Sequence, residues 1–235
     1  MRRGLALALL GAAGVPAAAD ETPYLYQRTG TEAPRRVEVE GAVGSREARP
    51  WGGRGVETAV RLEASPLPWL TLEARGGLLT EGGETRAAVS AGLLGRVGLG
   101  PVVLHAGAGY ARDYQDVDLL QLRLLGTLNR GRLGITASSL VEVPFAEGRD
   151  AVDLILGAAI SYAVTPRLRL GAEALGEDLE AAWEEDEAEG GARLLVGPTA
   201  WMSLSPSVDL KLGGALTATA GGTGVLGRAA VGLRF

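Results

Sequence analysis

From Arg36 to the end of the chain, apolar and polar residues alternate with a period of two. In "RVEVEGAV" (36–43), Val37, Val39 and Val43 fall on one face and Glu38 and Glu40 on the other. "VETAVRLEA" (56–64) sets Val56, Val60 and Leu62 against Glu57, Arg61 and Glu63, and "LTLEARG" (70–76) sets Leu70 and Leu72 against Glu73 and Arg75. Successive side chains of a strand point to opposite faces, so this pattern predicts strands whose two faces meet different environments. Nine more segments follow, at 85–95, 102–110, 118–127, 133–143, 152–163, 168–175, 192–202, 208–217 and 225–235, which makes twelve. Most run about 8–11 residues, the length of a tilted strand that crosses a bilayer. An even number suits a closed antiparallel barrel.

The two faces separate by charge. Val102, Leu104, Ala106 and Tyr110, then Leu120, Leu122 and Leu124, stand for the apolar parity. Across the twelve segments that parity carries one charge, Asp118, at a strand end. A charge at bilayer mid-depth costs roughly 2–4 kcal/mol, so its absence is what a lipid-facing surface requires. The opposite parity holds Arg86, Gln121, Arg123, Arg169 and Glu173, then Arg193, Asp209, Lys211, Arg228 and Arg234. A soluble β-sandwich also alternates, but its faces fill one core with bulkier residues. Here the apolar face is thin in aromatics and rich in Ala and Gly. The expected fold is therefore all-β, a closed antiparallel transmembrane β-barrel of twelve strands. An open sheet edge cannot persist in lipid, which again favours closure.

The connections predict which end is which. "SPLPWLTL", "TPRLRLG" and "SPSVDLKL" each place Ser/Thr-Pro just before an alternating strand, where proline presets a tight turn. The connections around 96–101 and 128–132 are also short, while those at 46–54, 79–84, 111–117, 144–151, 176–190 and 218–224 are generally longer. Short periplasmic turns and longer extracellular loops are the rule for such barrels, and both termini then lie in the periplasm. Pro198, inside "RLLVGPTAW", conflicts with a closed ladder and leads us to expect a bulge there.

Composition adds an address. "MRRGLALALLGAAGVPAAAD" has a basic start, an apolar run and a small-residue site ending at Ala19, the pattern of a cleaved signal peptide. The expected organisation is a signal peptide at 1–19, a polar periplasmic tail at 20–35 and the barrel at 36–235. The chain has no Cys, so disulfides and thiolate metal sites are excluded. A net charge of −5 argues against nucleic-acid binding.

The chain ends "GRAAVGLRF", with Val231, Leu233 and Phe235 alternating on the lipid-facing parity up to a terminal aromatic. This resembles the C-terminal assembly signal of Gram-negative outer-membrane β-barrel proteins, a porin-like architecture. The resemblance implies recognition by the barrel-assembly machinery and insertion into the outer membrane, among its lipids and lipopolysaccharide. It is one of architecture and matches no single functional family.

The inward charges form the candidate site, as a pore lining or as an ion-pair network that fills the lumen. Arg61 and Glu73 are expected nearly opposite each other, and closure should bring Arg234 near Glu38 or Glu40. His105, the one histidine, falls inside near the periplasmic end; no Ser lies close enough in sequence for a hydrolase pair. "GEDLEAAWEEDEAEGG" (176–191) is strongly acidic, and Glu184, Glu185, Asp186 and Glu187 form a weak cation candidate beside a simpler solvated-loop reading. Trp69, Tyr110 and Tyr162 suit an interfacial girdle, whereas Trp201 is on the inward parity. No cofactor, resident metal or catalytic residue is expected. The leading expectation is a narrow channel for ions or small solutes. Next comes a non-enzymatic structural barrel that anchors an envelope complex through its loops, and last a lipid-modifying enzyme.

Overall fold

Twelve strands close into an antiparallel barrel in the computed structural model, which describes residues 35–44, 55–146, 152–177, 179, 193–219 and 222–235. The strands are β1 (Arg35–Gly44), β2 (Gly55–Leu67), β3 (Leu70–Glu81), β4 (Glu84–Leu99), β5 (Val102–Arg112) and β6 (Asp118–Arg130). They continue as β7 (Leu133–Pro144), β8 (Asp153–Thr165), β9 (Leu168–Glu177), β10 (Arg193–Ser205), β11 (Val208–Thr219) and β12 (Gly222–Arg234). Each pairs with its chain neighbours, and β12 returns to β1 with Val39 opposite Val231. Every backbone row is thus paired without an edge, as lipid demands. The expected signal peptide, the tail up to residue 34 and Glu184–Glu187 lie outside the described residues.

The exposed surface is the apolar parity. Val39, Val60, Leu93, Leu124, Ile160 and Leu216 all stand outward and exposed, Leu124 by 61%. In water so wide an apolar surface would aggregate, whereas in a bilayer it is the solvated face. Among described side chains in strands, the outward charges are Arg112, Asp118 and Arg130, all at strand ends. Trp69, Tyr110 and Tyr162 face outward, and Trp201 faces inward and is buried.

The barrel has a turn end and a loop end. Two-residue turns at 68–69, 100–101, 131–132, 166–167 and 206–207 make the turn end, which also holds the start of β1 and Phe235. Gly100 and Gly131 take left-handed φ angles of 67° and 61°, which a side chain would oppose. Two loop-end connections are shorter than expected. β3 and β4 extend to a two-residue turn at Gly82 and Gly83, both with positive φ, and only residues 220–221 separate β11 from β12. A glycine pair satisfies the tight hairpin geometry directly.

The proline turns solve a parity problem. β2 and β3 both turn their odd-numbered residues inward, as do the pairs β8–β9 and β10–β11. A regular two-residue hairpin pairs odd with even, so each of these turns needs one extra residue. The register shifts sit between Ala64 and Leu67, Ala163 and Thr165, and Ser203 and Ser205. Thr165 and Ser205 accept hydrogen bonds from the N–H two residues on, closing these turns. The bulge expected at Pro198 is absent. Val196 pairs with Leu216 and Thr199 with Gly213, the same register on both sides. The ladder to β11 merely skips Gly197 and Pro198. Proline has no N–H to donate, and a Cβ at Gly197 would collide with the Gly214 carbonyl.

Candidate functional site

The inward parity fills the lumen with charges in a defined pattern. Arg75 of β3 places Nε 2.8 Å from Glu40 of β1 and donates through its Nη2 to Glu57 of β2. Arg228 of β12 lies 3.2 Å from Glu40 and 3.8 Å from Glu57. Four adjoining strands thereby contribute two cations and two anions to one neutral ring. Ala59, opposite both Glu40 and Gly77 in register, is small enough for the Arg75 side chain to pass.

A second group lies nearer the turn end. Glu73 receives Arg61 at 3.4 Å and Arg123 at 3.0 Å. Arg61 is not opposite Glu73 as expected: register places it opposite Arg75, and Glu73 opposite Glu63, because pairing runs on to Leu67–Leu70 at a two-residue turn and the bulge after Ala64 shifts it by one residue only. Arg123 reaches Glu73 from β6, past β4 and β5. Those two strands offer Gly92, Gly107 and Gly109 on the inward face, leaving room for a long side chain.

The remaining charges extend the pattern around the wall. Lys211 of β11 lies 3.2 Å from Glu38 of β1, past Ala230 and Gly232 on β12. Arg234 stands opposite Arg36, diagonal to Glu38, and its Nε is 3.6 Å from Asp209. Arg193 pairs with Glu177 at 3.8 Å, so the first acid of the acidic run belongs to β9 and faces inward. Arg169 donates to Ser161 at 3.0 Å, and Glu63 and Glu173 are buried. His105 is buried opposite Arg96 in register. Arg86, by contrast, is half exposed at the loop end and pairs with Glu84 of its own strand at 3.1 Å. Val231, Leu233 and Phe235 are exposed on the outer face.

The lumen also holds an apolar patch among its charges. Near the loop end, Ile155, Leu175, Leu195, Ala215 and Leu226 cluster with Ala42 and Ala230, with Leu140 against them. The charged ring adjoins that cluster and shares β1 and β12 with it: Glu40 neighbours Ala42 on the inward face, and Arg228 lies between Leu226 and Ala230. Burial of the charges is deep: Glu38 and Asp209 have no exposed surface. Buried charges survive only when paired and hydrogen-bonded, which the ladder of small inward residues makes possible.

One residue in this site was not singled out by the pattern. Tyr114, in the 113–117 loop between β5 and β6, donates its hydroxyl to Glu57 at 2.6 Å. Burial first, then the Glu57 carboxylate, push its phenol above the ordinary value of 10.0. Asp113 and Asp118 flank it in "RDYQDVD", and the Asp-rich turn was the available signal. Gln121, Glu142 and Asp153 are also on the inward parity, with Gln121 donating to Glu142 at 2.6 Å.

An apolar belt outside, a paired polar lumen inside and full closure define a transmembrane β-barrel of the outer-membrane type. Comparison with solved structures agrees on the fold. The NanC porin matches with a TM-score of 0.68 at 7% identity, covering 85% of this chain and 100% of that one. The KdgM porin in complex with disordered oligogalacturonate matches at 0.64 and 8% identity, covering 85% and 99%. The translocator domain of the autotransporter NalP from Neisseria meningitidis matches at 0.56 and 17% identity, covering 87% and 89%. No protein-family model matches the chain, and no curated protein resembles it in sequence.

Proposed function

We propose that this protein is a narrow, non-enzymatic channel for ions and small solutes in the bacterial outer membrane. The observation that carries the reading is a continuous file of charged side chains along the lumen, inside a barrel with the fold of solved porins. Glu63, Asp209 and Arg234 stand near the turn end, Glu73 and Arg123 midway, and Arg75, Glu57 and Arg228 toward the loop end. Lipid and lipopolysaccharide surround the apolar belt in this reading, and the barrel-assembly machinery receives the Val231–Leu233–Phe235 signal. Short turns then face the periplasm.

Vesicle swelling tests it. Liposomes carrying the folded protein should swell in iso-osmotic solutions of small solutes, more slowly as solute size increases. Swelling no faster than in protein-free liposomes would overturn the channel.

A second reading has a specific observation in its favour. Trp201, Leu195, Arg169 and Glu173 are each at most 2% exposed, so the lumen wall is packed at those levels. A filled barrel that anchors an envelope complex through its loops is consistent with that packing, and it predicts liposomes that do not swell.

A further inference from the structure

A stiff loop and a bare position on the wall meet inside the loop-end mouth. The loop is residues 113–117. The Asp113 carboxylate accepts the N–H groups of Gln115 at 2.7 Å and Val117 at 2.9 Å. The Asp113 N–H donates to the Val117 carbonyl at 3.0 Å, and the Asp116 N–H to the Asp113 carbonyl at 3.1 Å. Asp116 takes a left-handed φ of 63°, which Asp tolerates better than most residues. The loop therefore closes on itself and holds Tyr114 in one direction.

That direction is inward. Tyr114 leaves the β5–β6 hairpin and reaches Glu57 on β2, past β4 and β3. The reach needs a gap in the wall, and Gly77 on β3 supplies it: a Cβ there would collide with the Tyr114 hydroxyl. The acceptor is fixed as well, because Arg75 and Arg228 both hold Glu57. A stiff donor, a fixed acceptor and a recess shaped for the ring form a docking contact, where a surface loop needs none of them.

We infer that Tyr114 is the lid of the channel: seated on Gly77 and Glu57, it closes the loop-end mouth over the Arg75–Glu40–Arg228–Glu57 ring. Passage then requires the Tyr114–Glu57 bond to open. The word passage rests on the channel reading, whereas the closure itself does not.

Two readouts separate these claims. The chain has no cysteine, so Ser90→Cys creates a single label site. Ser90 faces inward opposite Arg75, one step below the lid. Labelling with a membrane-impermeant thiol reagent from the loop-end side is compared in three backgrounds: wild type, Tyr114→Phe and Gly77→Ala. Losing a hydrogen bond to a charged acceptor should raise the open fraction, and so the labelling rate, roughly tenfold in Tyr114→Phe. Gly77→Ala should raise it with Tyr114 intact, by refilling the recess. In planar bilayers the same two variants, without the cysteine, should increase the mean open-channel current. Faster labelling with no current in any protein keeps the lid and overturns the channel. Wild-type current with labelling and current unchanged in both variants overturns the lid.

Discussion

Tyr114 and Glu57 are 57 residues apart in sequence, yet the phenol hydroxyl and the carboxylate meet at 2.6 Å across the mouth of the barrel. The contact ties a loop to a wall three strands away. Its pH dependence follows from the raised phenol pKa. The docked state keeps its proton where a free tyrosine loses it, so docking contributes fully below pH 10.0 and weakens as pH rises through the docked value. Ultraviolet titration of wild type against Tyr114→Phe should show the Tyr114 phenolate forming above pH 10.0. A difference spectrum centred at or below the ordinary value would contradict the contact.

The ring around Glu40 should be the most sensitive point of the lumen. Glu40→Ala leaves Arg75 and Arg228 facing a lost partner in a buried setting, at a cost of about 3–5 kcal/mol. Adding Arg228→Met should recover part of that loss, since it removes one stranded charge. Urea unfolding, read by gel migration with and without heating, measures both. Equal midpoints for wild type and Glu40→Ala would mean that the ring does not stabilise the barrel.

The bulges at the proline turns predict an asymmetry between deletions. Val164 is the extra residue between the Ala163–Arg169 and Thr165–Leu168 pairs. Deleting it turns that hairpin regular and keeps every face, so the barrel should still assemble. Deleting Leu128 from the bulge-free β6–β7 hairpin puts Arg123, Gln121 and the rest of β6 on the wrong parity, and assembly should fail. Heat-modifiable migration distinguishes the two products. Similar behaviour of both deletions would count against the parity account.

The lipid face gives a simpler expectation. Leu124 is exposed at mid-belt, and Leu124→Arg should lower barrel stability by about 2–4 kcal/mol. Leu120→Arg, near the end of β6, should cost less because an arginine there can reach the interface. Equal costs measured in lipid vesicles would argue against the placement of the bilayer.

Strand number and facing were legible because a period of two is a local property: Glu38, Glu40, Arg61 and Lys211 could be assigned inward from their neighbours alone. Partners were less legible. Arg61 and Glu73 were brought together by the "SPLP" turn, but the alternation asks only for odd facing odd and does not say that pairing runs on to Leu67 and Leu70, which makes the contact diagonal. Arg123 meeting Glu73 depends on Gly92 and Gly107 on two intervening strands, a relation spread over 50 residues. At Pro198 the missing N–H points to a bulge from sequence alone, whereas the ladder skips Gly197 and Pro198 in unchanged register. Tyr114 lies in a loop without periodicity, and its role depends on a glycine 37 positions earlier.

Single-channel recording of the folded protein in planar bilayers tests the channel most directly. The account predicts small discrete current steps whose ion preference shifts toward cations in Arg123→Glu and Arg169→Glu. A barrel that is correctly folded by heat-modifiable migration yet electrically silent, in wild type and in the Tyr114→Phe variant alike, would contradict it.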